Sequence, residues 1–524
     1  MSEENADLHE TKFDAIVLGT GLVESITAGA LARAGKNVLH LDSNDHYGGT
    51  WSVFGFKELL KWCQKVRNPG GDAPSKANDK EIVYQSNVAA NYKNIRVDIP
   101  ESRVNPSLFM DDSAENIEER LSNDEAAADA LRQSRLYNLD LAPKLLSCEG
   151  ELVEILIRSG VGRYLEFKGV DDIFMLDEKT KRLEKVPSSR EDVFGNKSIT
   201  LVDKRKLMRF LTFAVNYQEE PETVEGYHDK PFATFLQEKF KISGQLLTAL
   251  VYATALVDTK AATVQGLKRT QQFMKSLGRF TKGGFLCTLY GGGSEIAQAF
   301  CRVCAVYGGI YVLNQPLSSF SIKDGKCTGV LTADGKKFEA DKVIASVDYL
   351  PRSWLPEAAS SWPWISRAIV VTDKPLAVSE DAKGPLHFSV IPPINGIAAS
   401  NPVYAIHQNS ESMACPGDQY VTYLWKVAEA EEQDLRPVVD VLLSSQPGGA
   451  VSAKYVVYYQ QREQRVNVDK QEWKIPVNIV ACGGPTRSLD FEDAVNEARD
   501  VFLQCVPPGT EFMPSQEEDI QDEE

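Results

Sequence analysis

Histidine is scarce in this chain, with 6 residues in 524, and none of them lies in an H-E-x-x-H motif. A G-x-S-x-G nucleophile motif is also absent. The glycine-rich segment 291–295 lacks the Gly-Lys-Ser/Thr ending of a phosphate-binding loop. Each of these patterns supplies the reactive groups of a common enzyme class. Without them, the sequence predicts a fold but shows no recognisable set of catalytic residues. The sequence therefore indicates a binding protein rather than an enzyme.

Other features that the sequence lacks limit the partners and the cellular compartment that we expect. No run of about 18 apolar residues occurs, the acidic N-terminus excludes a secretory signal, and the C-terminus has no cysteine box for prenylation. The formal charge is −17 and no Lys/Arg cluster is present, so we expect no nucleic-acid partner. The 9 cysteines are scattered, with only Cys301 and Cys304 close together. This spacing predicts free thiols, no metal site and a cytoplasmic location.

The N-terminal region predicts a strand at 13–18, a helix at 22–34 and a strand at 37–42. Gly19 and Gly21 fit the first two positions of a G-x-G-x-x-G loop, and Asp42 stands where an acidic side chain would meet a ribose hydroxyl. Glu24 replaces the third glycine. Its carboxylate would compete with a pyrophosphate for the amides at the helix start. We predict that the cofactor site is not functional and that no cofactor binds. The alternative is that Glu24 points to solvent and a cofactor still binds.

The remaining pattern predicts an α/β protein with an FAD-binding-type large domain, mixed sheets and an inserted all-helical domain. Strand-like runs recur between 309 and 345 and at 367–371, 420–425, 454–459 and 477–482, and a helix is predicted at 491–504. Helical periodicity covers 144–158, 204–217, 231–239, 245–256 and 261–277. We assign 1–110, 169–202 and 279–524 to the large domain, and 111–168 and 203–278 to the helical domain. Segment 65–80 is predicted to be a surface loop, and the acidic tail from 516 to be disordered.

Two long segments are similar to the signatures of the GDP dissociation inhibitor/Rab escort superfamily. The first comprises 17–25 and 38–51, and the second covers 285–311. Shorter segments at 163–168, 187–194 and 206–213 follow in the order that the family has. Within the superfamily, Thr50-Trp51 and segments 207–213, 365–369 and 505–512 resemble the escort branch more than the inhibitor branch.

The resemblance implies a platform that binds GDP-bound Rab small GTPases, and it assigns to that platform Tyr47, Arg279, Glu295, Gln298 and Arg302. Glu295, Gln298 and Arg302 are spaced by three and four residues, so they would share one helical face. From the residues alone, a surface salt bridge between Glu295 and Arg302 is the alternative. Compared with the family pattern, segment 291–294 contains one extra residue, so the sequence does not determine the geometry of the adjacent loop.

The resemblance also implies that the chain docks on the alpha subunit of the Rab geranylgeranyltransferase heterodimer. Phe213 is the first candidate for this contact and Phe210 the second. The alternative is that both are core residues, because 207, 210, 211 and 214 form an apolar stripe. A basic docking residue expected about a dozen positions later is absent, since Glu225 lies near that position.

Finally, the resemblance implies that the helices hold the geranylgeranyl group of the prenylated Rab. Candidate lining residues are Leu145, Leu152, Leu156, Leu247 and Val251, although core packing explains them equally well. The expected function is a non-catalytic accessory role in Rab prenylation, followed by delivery of the product to a membrane. The alternatives are a Rab GDP dissociation inhibitor and an FAD-dependent oxidoreductase.

Overall fold

A computed structural model describes the protein at residues 11–67, 81–84, 86, 88–100, 122, 124–170, 172–187, 190–196, 199–376, 386–398, 400–428, 435–446, 448–464, 466 and 473–515. Most of the predicted loop at 65–80 and the whole acidic tail from 516 lie outside the described residues. Within those residues, no helix combines the length and the apolar character that a membrane crossing requires.

The N-terminal unit forms as the sequence predicts. Strand β1 (Lys12–Leu18) leads into helix α1 (Leu22–Arg33) and strand β2 (Val38–Leu41), and β1 and β2 pair in parallel. Every residue of α1 is buried. This burial explains why the segment is mostly apolar, because the second half of β1 and the whole of α1 are covered on all sides.

The first large sheet is mixed and contains eight strands in the order β12-β2-β1-β15-β14-β13-β4, with β21 paired to β15. Its parallel part brings β1 against β15 and β15 against β21. The strands not yet given are β4 (Glu81–Val83), β12 (Ile310–Val312), β13 (Leu317–Lys323), β14 (Lys326–Thr332), β15 (Lys337–Ser346) and β21 (Ile479–Cys482).

The second large sheet has eight strands in the order β10-β9-β17-β18-β19-β16-β20-β5, and all its pairs are antiparallel except β9 with β17. Its strands are β5 (Tyr92–Asp98), β9 (Asp172–Leu176), β10 (Leu183–Lys185), β16 (Trp364–Thr372), β17 (Leu386–Ile391), β18 (Val403–Asn409), β19 (Tyr420–Val427) and β20 (Ala453–Arg462). Strands β5, β17 and β18 were not among the sequence predictions.

Two small sheets join distant parts of the chain. Strand β11 (Phe285–Thr288) pairs with β7 (Leu146–Ser147) and β8 (Phe167–Val170), and β3 (Val53–Phe54) pairs with β6 (Leu139–Asp140). The prediction of a helix over 144–158 is therefore wrong in its first half, where β7 precedes Gly150. Segment 111–168 is not wholly helical either, because β6, β7 and the start of β8 lie in it.

The other helices complete the fold, and the described part of 201–276 is helical with connecting turns. They are α2 (Phe56–Arg67), α3 (Glu125–Arg132), α4 (Glu151–Arg158), α5 (Arg190–Gly195), α6 (Leu201–Val215), α7 (Pro221–Val224), α8 (Phe232–Phe240), α9 (Gly244–Ala249), α10 (Thr263–Ser276), α11 (Gly293–Val306), α12 (Arg436–Ser444) and α13 (Glu492–Leu503). A π-helical turn, Leu250–Thr254, follows α9. The proposed domain boundaries stay a prediction.

Candidate binding platform

Helix α11 carries three of the predicted platform residues on one face. Gln298 and Arg302 are exposed, whereas Glu295 is half-buried in the first turn. The opposite face of α11, which includes Ile296 and Phe300, is buried in the core beside α1. The helix is therefore fixed by its apolar side, and its polar side is presented outward.

Arg302 contacts an aromatic ring rather than an acidic group. Its guanidinium carbon lies 4.2 Å from the ring centroid of Tyr164, which is itself 43% exposed. Cation–π contacts of this kind hold the orientation of an arginine while leaving its N–H donors available. Among the described residues, no carboxylate lies within 4.0 Å of the Arg302 nitrogens, so the alternative of a Glu295–Arg302 salt bridge is not observed.

Burial raises the pKa of the Glu295 carboxyl above its ordinary value, and desolvation is the cause. Neither Glu295 nor Gln298 forms a side-chain hydrogen bond within the described part of the chain. A partly desolvated carboxyl group that lacks an internal hydrogen-bond donor is stabilised when a binding partner supplies one. The α11 face thus combines an acceptor, an amide and a cation, none of which has a side-chain hydrogen bond or ion pair among the residues that the structure describes.

A loop from the N-terminal unit is held against the start of α11. Gly48 adopts φ +104°, and a Cβ atom there would lie 2.8 Å from Cβ of Ser294, so only glycine allows this approach. The neighbouring Tyr47 packs its ring against that of Tyr311, with centroids 6.2 Å apart. Tyr311 is 38% exposed in β12, the strand that follows α11. Tyr47 therefore joins the surface formed by α11 and β12.

Asp140 fixes the glycine loop that precedes α11. Its Oδ2 accepts a hydrogen bond of 3.1 Å from the Gly292 amide, and its Oδ1 accepts one of 2.7 Å from the Ala142 amide. Burial raises the pKa of this carboxyl to about 6, although both amides and the nearby Arg367 oppose the shift. The extra residue in 291–294 is thus accommodated by a loop tied to β6.

The guanidinium group of Arg279 is engaged by contacts within the chain, so it is not available to a partner that binds the α11 face. Its guanidinium donates to the Cys148 carbonyl at 2.6 Å and forms ion pairs with Glu149 and Glu154 at 3.1 and 2.5 Å. It also lies over the ring of Phe280, 5.0 Å from the centroid. These contacts fasten the segment before β11 to the start of α4, so Arg279 has a structural role in the protein without a partner.

A mostly apolar cavity of about 430 Å³ adjoins the Tyr164 segment. Its lining residues are Leu146, Val153, Leu156, Ile157, Gly160, Gly162, Arg163, Phe167, Gly169, Phe280, Thr281 and Leu286. Ile157 and Phe280 are 56% and 51% exposed, so apolar surface continues from the cavity to the outside. Since Arg163 lines it and Tyr164 supports Arg302, the cavity lies next to the α11 face.

Of the predicted lipid-contact residues, only Leu156 lines this cavity. Leu152 and Leu156 belong to the core around α1 and α11, whereas Leu145, Leu247 and Val251 belong to the core between the helical segment and the second sheet. Four of the five are almost completely buried, and Leu247 is partly buried. The structure therefore does not gather them into one slot.

Phe210 and Phe213 lie in the core of the helical segment. Phe210 is 0% exposed and packs against Phe232 and Phe240, while Phe213 is 6% exposed and packs against Phe235 and Phe240. Neither ring is exposed in the chain without a partner, which favours the core alternative, and the docking contact stays a prediction. Glu225 follows α7 and contributes no basic group there.

Glu24 is buried in the dinucleotide-type loop, 1% exposed. Its Oε2 lies 2.3 Å from the position that a Cβ on Gly21 would take, so the carboxyl group rests on the turn where a pyrophosphate would need space. Burial raises its pKa well above the ordinary value, and the carboxyl groups of Glu497, Asp348 and Asp42 add to the shift. The alternative of a solvent-facing Glu24 is wrong.

The other parts of the loop are present but used internally. Gly19 keeps φ +96°, and the ring of Tyr349 covers it, with Cε2 3.1 Å from its Cβ position. Asp42 lies where the ribose contact was predicted, but it accepts hydrogen bonds from Thr20 at 2.6 and 2.7 Å and from the Tyr349 hydroxyl at 2.9 Å. Glu24, Tyr349 and Asp42 thus make contacts within the chain at the positions where the motif would present the phosphate and ribose groups, and the absence of a cofactor stays a prediction.

Comparison with known proteins identifies the family to which this scaffold belongs. The sequence model of the GDP dissociation inhibitor family matches residues 8–84 and 111–513. The chain belongs to the GDP dissociation inhibitor family. The match spans the platform helix α11, the Tyr47 loop and the helical segment.

Curated relatives align with nearly the whole length of the chain. Rab proteins geranylgeranyltransferase component A of Drosophila melanogaster is 30% identical, with 97% of this chain and 91% of that protein covered. Component A 2 of Mus musculus is 28% identical, with 96% and 97% covered. A solved Rab GDI from Plasmodium falciparum has a TM-score of 0.66 at 20% identity over 94% of this chain and 98% of that one, which shows the fold. An oxidoreductase from Methanosarcina mazei, 13% identical over 94% and 99%, reaches a TM-score of 0.54.

The buried Glu24 predicts a pH dependence of stability in this family member. Because its folded-state pKa is raised, its contribution is fully present below the ordinary value of 4.5 and is lost as pH rises toward the raised pKa. Glu24→Gln removes this titration and keeps the shape. The variant should lose less unfolding free energy than the parent between pH 5 and 8, measured by urea unfolding. Glu497 and Asp348, with pKa values raised to about 7 and about 6, titrate in both proteins, and because both are coupled to Glu24, the difference between the two curves reports the whole carboxyl cluster rather than Glu24 alone. Parallel curves for the two proteins would contradict the assignment.

Proposed function

We propose that this chain is a Rab escort protein, the non-catalytic accessory component of a Rab geranylgeranyltransferase. In this proposal it binds GDP-bound Rab GTPases, presents their C-terminal cysteines to the transferase heterodimer, and carries the prenylated product through the cytosol to a membrane. The observation that carries the proposal is the α11 face, where Glu295, Gln298 and Arg302 have no side-chain hydrogen bond or ion pair among the described residues and Arg302 is held over the Tyr164 ring.

The chemistry of this face suits recognition of a folded protein. Arg302 over the Tyr164 ring, the Glu295 carboxyl group, the half-buried Tyr47 and the exposed Tyr311 form a mixed polar and aromatic surface. Protein interfaces are enriched in tyrosine and arginine. The curated relatives carry the name Rab proteins geranylgeranyltransferase component A, and this name supports a Rab GTPase as the partner.

The function needs no chemistry from this chain. By binding the Rab and the transferase together, it raises the effective concentration of the Rab tail at the catalytic centre, as linked binding sites do. We place the lipidation chemistry in the transferase heterodimer and the docking contact on its alpha subunit. Phe210 and Phe213 would support the docking surface from inside the helical segment. The filled dinucleotide loop supports the absence of a cofactor.

The cavity beside Tyr164 is our candidate for the apolar part of the Rab C-terminus, including the geranylgeranyl group. It begins next to the α11 face, and its lining is mainly aliphatic and aromatic. Each buried methylene contributes about 0.8 kcal/mol, so even a partly buried twenty-carbon chain can compete with a membrane.

An in vitro prenylation assay tests the function. Transferase heterodimer, geranylgeranyl diphosphate and GDP-bound Rab should give lipidated Rab with this chain and only background without it, measured by incorporation of labelled lipid. Activity unaffected by the chain would contradict the escort function. If the chain instead extracts prenylated Rab from membranes and does not support lipidation, it is an inhibitor. A visible flavin spectrum together with substrate oxidation would identify an oxidoreductase.

A further inference from the structure

Three large apolar side chains are strongly exposed within one short stretch of the chain. Phe194 at the end of α5 is 66% exposed, and Leu201 and Val202 in the first turn of α6 are 74% and 60% exposed. Exposed apolar residues are normally scattered, and a group of them marks an interaction surface. We call this surface the α6 tip, formed by Phe194, Leu201 and Val202.

A hydrogen bond holds the end of α5 beside the start of α6, so the three exposed side chains lie near one another. The Nζ of Lys204 donates to the Phe194 carbonyl at 2.8 Å, which ties the end of α5 to the second turn of α6. Thr200 caps α6 by accepting a hydrogen bond of 3.2 Å from the Asp203 amide. The tip is therefore a defined structure with its own hydrogen bonds.

Basic side chains surround the tip, although the chain as a whole carries a formal charge of −17. Arg205 and Arg209 are exposed on α6 and follow Leu201 at intervals of four residues, so they extend along the same face. The nearby acidic groups are compensated. Asp203 forms an ion pair with Lys206 at 3.0 Å, and Asp192 lies 4.0 and 3.9 Å from Lys185 and Lys282.

We propose that the α6 tip inserts into the headgroup region of an anionic lipid bilayer. Side chains that project from the start of a helix can enter the boundary between headgroups and acyl chains, where their apolar surface is removed from water. Arginines that follow on the same face pair with lipid phosphates through bidentate hydrogen bonds. The charge of this face, opposite in sign to that of the whole chain, makes an anionic bilayer the occupant that fits.

This inference goes beyond the proposed function, because it concerns binding of the chain to lipid without any Rab cargo. It also assigns the contact to the helical segment, away from the α11 face. A membrane contact at α6 leaves Glu295, Gln298 and Arg302 free for the Rab, so binding of lipid and binding of Rab can be measured separately.

Vesicle flotation with the full-length chain tests the proposal. The protein should float with phosphatidylcholine vesicles that contain phosphatidylserine, and much less with phosphatidylcholine alone. The triple variant Phe194→Ser, Leu201→Ser and Val202→Ser should bind the anionic vesicles at least about tenfold more weakly, because three apolar contacts are lost. Arg205→Glu should weaken binding only to the anionic vesicles and reduce its dependence on salt.

The control variant is Val477→Ser, which removes another strongly exposed valine, 78% exposed, that lies outside the tip. It should float like the parent. Circular dichroism and Rab binding establish that each variant is folded. Equal flotation of the parent and the triple variant, or no flotation of the parent, would overturn the proposal. Loss of transferase binding in the triple variant with unchanged flotation would show that a protein covers the tip, and would overturn it as well.

Discussion

Replacing Arg302 with glutamate is expected to weaken Rab binding about a hundredfold, which corresponds to about 2.8 kcal/mol. The substitution removes a cation that the fold holds over Tyr164 without an acidic partner among the described residues. It also places a second carboxylate on the same face as Glu295, about two helical turns away, where it would repel acidic groups of the partner. Titration of labelled GDP-bound Rab, followed by fluorescence anisotropy, measures the dissociation constant.

Arg352→Glu is the matched control for this experiment. Arg352 is also an exposed arginine, but it follows β15 in the chain and does not belong to α11. Its reversal makes the same change in net charge and should alter the dissociation constant only slightly. Arg302→Glu should unfold at the same temperature as the parent, since the side chain is exposed. An unchanged dissociation constant would remove Arg302 from the platform.

Phe213→Ala is expected to lower the free energy of unfolding by about 3–5 kcal/mol, as truncation of a buried phenylalanine does. The ring is 6% exposed and fills space between Phe235 and Phe240, so its loss leaves a cavity in the helical segment. Phe210→Ala should have an effect of the same size for the same reason. Urea unfolding measures both.

The control for the phenylalanine variants is Phe280→Ala, because Phe280 is 51% exposed at the rim of the cavity. Its effect on stability should stay below about 1 kcal/mol. Transferase binding by Phe213→Ala should fall only in proportion to the unfolded fraction. If instead the variant is as stable as the parent and has lost transferase binding, Phe213 is a docking residue and its ring leaves the core in the complex.

The sequence predicts the buried α/β elements well, because parallel strands covered on both sides appear as continuous apolar runs. The strands β1, β2 and β15 and the helices α1 and α13 are examples. The sequence wrongly predicts a helix in the segment before Gly150. An apolar run of that length fits the helical period whether it forms a helix or pairs with a distant strand. In fact Leu146 and Ser147 pair with β11, a contact that local periodicity does not contain.

The platform could be predicted only in part for a related reason. Arg279 and Arg302 are equivalent as sequence letters, and only the fold shows that one is paired with Glu149 and Glu154 while the other has no acidic partner among the described residues. Tyr311 and Tyr164 could have been found, since both lie in segments that match the family. Asp140 gives no such signal, because its role depends on the approach of β6 to the glycine loop.

The contact between Gly48 and Ser294 has a consequence for biosynthesis. The Tyr47 loop leaves the ribosome early, whereas α11 and Tyr311 emerge only after more than half of the polypeptide has been translated. The binding platform of a nascent chain is therefore incomplete for most of its synthesis. Capture of a GTPase client must wait until translation of both parts of the platform is complete.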